Sequence, residues 1–274
     1  MGIFDGVYLA CDLDGTLLCS KGKTVSEENA FAIKEFIREG GVFGFATGRA
    51  SNEIEKFNAG IGSKGICITC NGSTLYDLGT KEHTLLAEAE DDILPFYEYT
   101  EREFPEIMFE IVSSDNIIYY YRPNPALDKH RSITNADFCE VGHYTEVPRP
   151  WVKLALWAVP EETKRFASEA DRSILPDRYN FMHSFEYCCE ISRKSADKGT
   201  GLLAVKKKLK GINLTCAIGD NENDVTMLKN ADISFVPQNA VPMAKENAKY
   251  ILSRDCNHSA VAEAIEKLRD IIKK

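Results

Sequence analysis

Two carboxylates one residue apart, Asp12 and Asp14, stand in the string Asp12-Leu13-Asp14-Gly15-Thr16-Leu17, directly after the apolar run Val7 to Cys11. An apolar run ending in Asp-Gly reads as a strand followed by a turn. At such a turn two carboxylates can share a metal ion and divide labour, one attacking phosphorus while the other moves a proton. Gly15 lets the chain turn sharply. A plain Asp-Gly turn is the alternative, and the full six-residue string at the end of an apolar strand argues against it.

Three further motifs carry chemistry. Ala46-Thr47-Gly48-Arg49 ends a second apolar run and opens a helix; a hydroxyl and free backbone N–H groups at a helix N-terminus suit a phosphate. Lys198, in Ser195-Ala196-Asp197-Lys198-Gly199, is a candidate local cation, although Asp197 could simply cap a helix and a lone lysine is usually solvated. Gly219-Asp220-Asn221-Glu222-Asn223-Asp224 follows another apolar run. Its acids and asparagines supply hard oxygen ligands that suit magnesium. The alternating ligands, glycine and distant glutamate of a calcium-binding EF-hand are absent.

The elements that must position these groups read as two patterns. The first 70 residues alternate strand and helix: Val7–Cys11, a helix capped by Ser26 with Glu27 and Glu28 in its first turn, Val42–Ala46, a helix over 51–59, and Ile66–Cys70 closed by Asn71-Gly72. The last 80 repeat the alternation, with helices at 198–209, 224–230 and 257–272 and strands at 214–218 and 233–236. Such alternation predicts an α/β fold, a Rossmann-like parallel sheet with helices on both faces, and ligands beyond the carboxyl ends of its strands. The middle is aromatic-rich, with strands expected at 107–112, 117–121, 152–158, 179–183 and 186–191 and helices at 91–104 and 161–173. It reads as an inserted α+β domain, an antiparallel sheet with helices on one side, over 86–190; the core comprises 1–85 and 191–274.

Composition narrows the function. The 274 residues carry a net charge of −9 with no basic block, which argues against nucleic-acid or membrane-surface partners. No apolar run approaches the roughly 18 residues of a membrane span, and the first six residues lack the regions of a signal peptide, so the expected address is cytoplasmic. Nine cysteines without disulfide-framework spacing read as reduced, mostly structural thiols; Cys67-x-x-Cys70 lies in a buried strand and finds no second pair at zinc spacing. The five histidines are scattered.

The four motifs, in this order, resemble the signature of the haloacid dehalogenase superfamily, and the position of the insertion resembles the Cof-type branch with its α/β cap. The resemblance implies a Mg²⁺-dependent phosphatase acting on a small phosphorylated metabolite, sugar phosphates first. Asp12 would be the nucleophile, forming an aspartyl-phosphate, and Asp14 the general acid and then base. Asp12, the Asp14 carbonyl oxygen and Asp220 would hold the metal. Thr47, Gly48, Lys198 and Asn223 would contact the substrate phosphate, with Asp224 and Asn71 in support. A phosphomutase would share Asp12 and Asp14 and pass the group to a sugar hydroxyl; a phosphate-sensing protein on a decayed catalytic fold should have lost at least one member of the set. Tyr119, Tyr120, Tyr121, Arg122 and Lys153 of the inserted domain could contact a metabolite or merely pack its sheet. The oligomeric state is not legible.

Overall fold

The computed structural model describes residues 2–18, 23–115, 117–134 and 136–273. Its chain divides into two units, Met1–Leu86 with Asp197–Lys274, and Ala87–Ala196. The first unit begins with β1 (Val7–Cys11), α1 (Glu27–Arg38), β2 (Val42–Phe45), α2 (Ser51–Asn58), β3 (Ile66–Thr69), β4 (Thr74–Asp77) and β5 (His83–Leu85). The second contains α3 (Leu94–Glu103), β6 (Met108–Ser113), β7 (Ile118–Tyr121), α4 (Ala126–Ile133), β8 (Phe138–Glu140), β9 (Trp151–Trp157), α5 (Pro160–Glu169), β10 (Tyr179–Phe185) and β11 (Cys188–Arg193). The first then resumes with α6 (Lys198–Lys208), β12 (Leu214–Ile218), α7 (Val225–Asn230), β13 (Ile233–Val236), α8 (Pro242–Asn247), β14 (Tyr250–Ile251) and α9 (Ala260–Ile272).

The main sheet of the first unit has the order β14-β13-β12-β1-β2, with all pairs parallel. Its strands are apolar on both faces because helices cover both. Alternation sends Leu9, Cys11, Phe43, Phe45, Cys216 and Ile218 into a core with Phe36 of α1 and Val261 and Leu268 of α9. Tyr8, Ala10 and Ala217 join Leu202 of α6 and Met227 and Leu228 of α7 on the opposite face. Ser26 caps α1 as expected, accepting from Asn29 N at 3.2 Å. The buried Asn29 in turn accepts from Ala262 N at 2.9 Å, tying α1 to α9.

β3 joins this sheet only through the bridge Ala46↔Ile68 and otherwise heads a separate antiparallel sheet, β3-β4-β5. β2 has ended at Phe45 and the chain turns into the Thr47 loop, so little ladder remains for β3 to extend. The β4–β5 hairpin has strands too short, and a loop too irregular, to stand out in the sequence.

The second unit is a six-stranded sheet, β10-β11-β9-β6-β7-β8. It is antiparallel except for the parallel pair β7–β8, which α4 connects. Phe96 and Tyr97 of α3 and Phe166 of α5 pack on Phe109, Ile111, Leu154 and Leu156. Ala126 and Leu127 of α4 pack on Met108, Tyr120, Ala155 and Trp157, which point the other way. Helices therefore lie on both faces, not on one side as the sequence suggests. α4 is hidden there by the Arg122-Pro123-Asn124-Pro125 run that precedes it. The unit runs on to Ala196 rather than ending at 190, because β11 continues to Arg193, opposite Tyr179. Tyr119, Tyr120 and Tyr121 are all buried in the sheet's packing. Arg122 donates to the carbonyl oxygens of Glu101 and Pro105, and Lys153 pairs with Glu190 at 2.7 Å. The described cysteines are free thiols, and Cys19 lies outside the described residues. Among the described residues no helix is long and apolar enough to cross a membrane.

Gly44 sits where β2 passes β1 and β3: a Cβ there would overlap Ile66 O and the Tyr8 hydroxyl, which donates to that same oxygen at 2.7 Å. Backbone cannot yield to it, so Gly44→Ala should destabilise the protein by about 1–3 kcal/mol. A lowered urea midpoint is the expected result; an unchanged one would mean the strands can part.

Candidate active site

The carboxyl ends of β1, β2 and β12 open on one region, where the strand order reverses about β1 and an α/β sheet leaves a crevice. Asp12 follows β1, and its N–H donates to Ile218 O at the end of β12 (2.9 Å). Thr47 follows β2 by two residues, and Asp220 follows β12 by two. The geometry thus brings together three segments distant in sequence.

Lys198 connects them. Its Nζ donates to Asp12 Oδ1 and to Asp224 Oδ1, both at 2.6 Å, and the side chain is fully enclosed (0% exposed, against 6% for Asp12 and 0% for Asp224). Lys198 is the first residue of α6, whose cap Asp197 accepts from Thr200 N at 2.7 Å. Asp224 is oriented on its other oxygen: Oδ2 accepts from Asp220 N (2.9 Å) and Asn221 N (3.0 Å). Thr16 donates from Oγ1 to Asp220 Oδ1 at 2.7 Å, joining the first acidic loop to the second.

The charges in this cluster do not cancel. Asp12, Asp220 and Asp224 bring carboxylate oxygens within 4.8 Å of one another, and Lys198 is the ammonium set among them. Burial pushes the Asp12 carboxyl up, with Asp224 and Asp220 adding to it and Lys198 opposing. Burial, and then the Asp224 charge, raise Asp220 to about 6, against the Thr16 hydrogen bond. Burial would lower Lys198, but Asp12 and Asp224 outweigh it and hold its pKa above the ordinary lysine value. The excess of buried hard-oxygen charge is what a divalent cation would neutralise, so the donor set fits a metal ion.

Asp14 is placed otherwise. Its carboxylate is outside the acidic group and takes a two-point fork from Arg49, Nε to Oδ2 at 2.8 Å and Nη2 to Oδ1 at 2.9 Å, with Lys23 Nζ on Oδ1 at 2.9 Å. Partial burial pushes Asp14 up, but these two cations override it and hold the carboxyl far below the usual range. Only its main-chain oxygen therefore fits the ligand role expected of it, and the carboxyl is held ionised. Arg49 is buttressed by Glu53, which accepts from Arg49 Nη1 and from Ala50 N, both at 3.1 Å.

Of the residues expected at the phosphate, Thr47 directs its N–H to Ile68 O (2.9 Å), while its Oγ1 accepts from Arg49 N at 3.1 Å. The hydroxyl hydrogen, rather than the Thr47 amide, is thus what this residue can offer an anion. Asn71 lies against Gly48 and accepts from Asn223 Nδ2 at 3.1 Å. Cys70 and Asn71 both adopt left-handed backbone, φ 49° and 52°, held by Cys70 N to Arg49 O and Asn71 N to Thr47 O, both at 3.0 Å. Non-glycine residues in this region store strain of order 1–2 kcal/mol each, a feature that clusters at working sites. A Cβ on Gly72 would overlap Asp197 O, so this turn also abuts the start of α6.

Three contributors have no role that a sequence motif signals: Arg49 and Lys23 on Asp14, and Asn239. Asn239 lies in the loop after β13 and donates to Gly15 O at 2.8 Å. Its position just beyond another strand's carboxyl end was the available signal.

The chain matches the haloacid dehalogenase-like hydrolase family over residues 9–265. It is 25% identical over 277 residues to the HMP-PP phosphatase of Serratia proteamaculans, covering 94% of this chain and 93% of that protein. It is 24% identical over 261 residues to the 5-amino-6-(5-phospho-D-ribitylamino)uracil phosphatase YcsE of Bacillus subtilis, again covering 94% and 93%. The crystal structure of a haloacid dehalogenase-like hydrolase from Bacteroides thetaiotaomicron shares the fold, with a TM-score of 0.82 at 23% identity over 97% of this chain and 99% of that one. A match that runs from the middle of β1 into α9, on a sheet that gathers its acidic loops at one end, places this chain in the haloacid dehalogenase-like hydrolase family.

Proposed function

We propose that this protein is a magnesium-dependent phosphomonoesterase that moves the phosphoryl group of a small phosphorylated metabolite to Asp12 and then to water. The observation that carries this reading is the enclosed Lys198 ammonium held 2.6 Å from the carboxylates of both Asp12 and Asp224. It stands where a phosphate and an attacking carboxylate would otherwise repel one another.

An Asp12 oxygen forms the new bond to phosphorus as the bond to the leaving oxygen breaks. Lys198 and the Thr47 hydroxyl bind the phosphoryl oxygens, and Asn223, steadied by Asn71, orients them. Asp14 gives a proton to the leaving oxygen and later takes one from the water that attacks the aspartyl-phosphate. Held ionised by Arg49 and Lys23, its carboxyl must first loosen both contacts and take up a proton from water before it can give one. Asp12, Asp220 and the Asp14 carbonyl oxygen would hold the magnesium ion, which when bound supplies positive charge beside the transferred group. Asp224 keeps Lys198 and the Asp220 backbone in place. For substrates, sugar phosphates and their aminated or reduced derivatives come first, in keeping with the phospho-ribityl compound in the name of the Bacillus relative. The second unit would select the leaving group.

Three measurements test this. Asp12→Asn should abolish phosphate release from a panel of phosphorylated sugars, nucleotides and cofactors while leaving the circular dichroism spectrum unchanged; residual turnover would sink the nucleophile assignment. Lys198→Ala leaves two buried carboxylates without their cation and should cost about 3–5 kcal/mol in urea unfolding in EDTA; a near-neutral change would contradict the burial argument. Asp220 has a folded pKa of about 6, above its unfolded value. The folded state then binds the extra proton, so in EDTA this group's contribution to stability declines as pH rises through about 6. Mg²⁺ needs the ionised form, so its stabilising effect on the melting temperature should be larger at pH 7.5 than at pH 5. An effect that is flat across that interval would count against Asp220 as a ligand.

A further inference from the structure

Gly15 is the least self-determined residue of the Asp12–Thr16 loop. Its φ is +88°, in the left-handed region that favours glycine, and a Cβ there would overlap Asp220 Oδ2. Any other residue would be strained at this φ and would push on the Asp220 carboxylate, and glycine leaves its own ψ open. Within the loop the Gly15–Thr16 peptide is held only by the long bond from Thr16 N to Leu13 O (3.4 Å), so a contact on Gly15 O from outside the loop would steady it and, through it, the neighbouring Asp14 carbonyl.

Asn239 meets that need. It follows β13 in the segment Pro237-Gln238-Asn239-Ala240-Val241. Its Nδ2 donates to Gly15 O at 2.8 Å, and its Oδ1 accepts from Cys256 N at 2.9 Å, so both ends of the amide are engaged. The same segment is anchored by Gln238 N to Arg254 O and Ala240 N to Pro237 O. Two residues on, Val241 N donates to Asp220 O at 2.9 Å. One short loop thus hydrogen-bonds the main chain of both acidic loops, at Gly15 and at Asp220. Thr16 to Asp220 closes the arrangement from the other side.

We propose that Asn239 is a positioning residue for the metal site: by holding the Gly15 carbonyl it sets the direction of the Asp14 carbonyl and the spacing of Asp12 from Asp220. It touches neither substrate nor metal and acts through the loop. This rests on the metal reading given above. Groups that orient ligands from outside the coordination sphere typically change metal affinity by about 10–100-fold when removed.

The test is titration of the full chain with Mg²⁺ alone, by calorimetry and by the shift in melting temperature, for wild type, Asn239→Ala and Asn239→Asp. The aspartate keeps an acceptor for Cys256 N and replaces the donor to Gly15 O with an oxygen. We expect at least about a tenfold loss of Mg²⁺ affinity in both variants, with the melting temperature of Asn239→Asp in EDTA close to wild type. With substrate, kcat at limiting Mg²⁺ should fall and recover at high Mg²⁺, KM changing little. Wild-type affinity in Asn239→Asp would overturn the proposal, as would a lowered melting temperature in EDTA with unchanged affinity, the mark of a purely structural role. Should Asn239→Ala fail to fold, Asn239→Asp decides alone. If wild type binds no Mg²⁺, the metal reading fails and this inference with it; if wild type binds and the variants bind equally, the inference alone fails.

Discussion

Lys198 is a fully enclosed ammonium, and taking such a charge out of water costs several kcal/mol unless partners replace the water closely. Asp12 and Asp224 do so at 2.6 Å each, and they are enclosed in turn. Each of the three is therefore tolerable only while the others stay in place. Lys198 also opens α6, so it sits at the positive end of that helix, where a cation is disfavoured and the two acids must offset that as well. The approach is close: a Cβ on Gly199 would come within 2.6 Å of the Thr226 backbone, and one on Gly201 would overlap or crowd Ile68. Two glycines weaken a helix by roughly 0.5–1 kcal/mol each, and here they let the α6 backbone draw in against α7 and β3.

Asp14 lies outside that enclosure, and its charge is managed by different means. Asp12 and Asp220 are pushed toward protonation, while the Arg49 fork and Lys23 keep Asp14 ionised. Two acids separated by one residue thus have opposite environments. This follows from the turn: Asp12 still belongs to the end of β1 and its neighbours, whereas past Leu13 the chain has rotated toward the Thr47–Arg49 loop.

What the sequence made legible were groups at strand ends. Asp12, Thr47 and Asp220 each follow an apolar run that is a strand, and Lys198 opens a helix with an evident cap, so their gathering at one end of a parallel sheet could be anticipated from topology alone. Arg49 stands in the motif that ends a strand and opens a helix, yet its partner lies 35 residues away, and Asn239 reaches a carbonyl 224 residues away. No spacing rule links such pairs; they exist only because the strands lie side by side. Elements were missed for a related reason. α4 is preceded by a proline-rich run, and β4, β5 and β8 are three or four residues long, too short to display a period. For Tyr119, Tyr120 and Tyr121 the sequence favours packing over ligand contact, and alternation buries them on opposite faces of their sheet.

The central pair of the main sheet has a consequence for how the molecule forms. β1 is complete by residue 11 and β2 can flank one edge of it from residue 42, but its other parallel partner, β12, starts at Leu214, opposite Val7. On a ribosome the strand that leads to Asp12 emerges early and waits, with its β12 edge open and the face that α6 and α7 cover incomplete, until most of the chain has been made. Pairings so distant in sequence fold slowly and are exposed to misassociation. The second unit has its own core, and if it folds as it emerges it shortens the effective tether between β1 and β12, easing a closure whose entropy grows with loop length. A second unit that interrupts the first in sequence would in this way also help to bring its halves together.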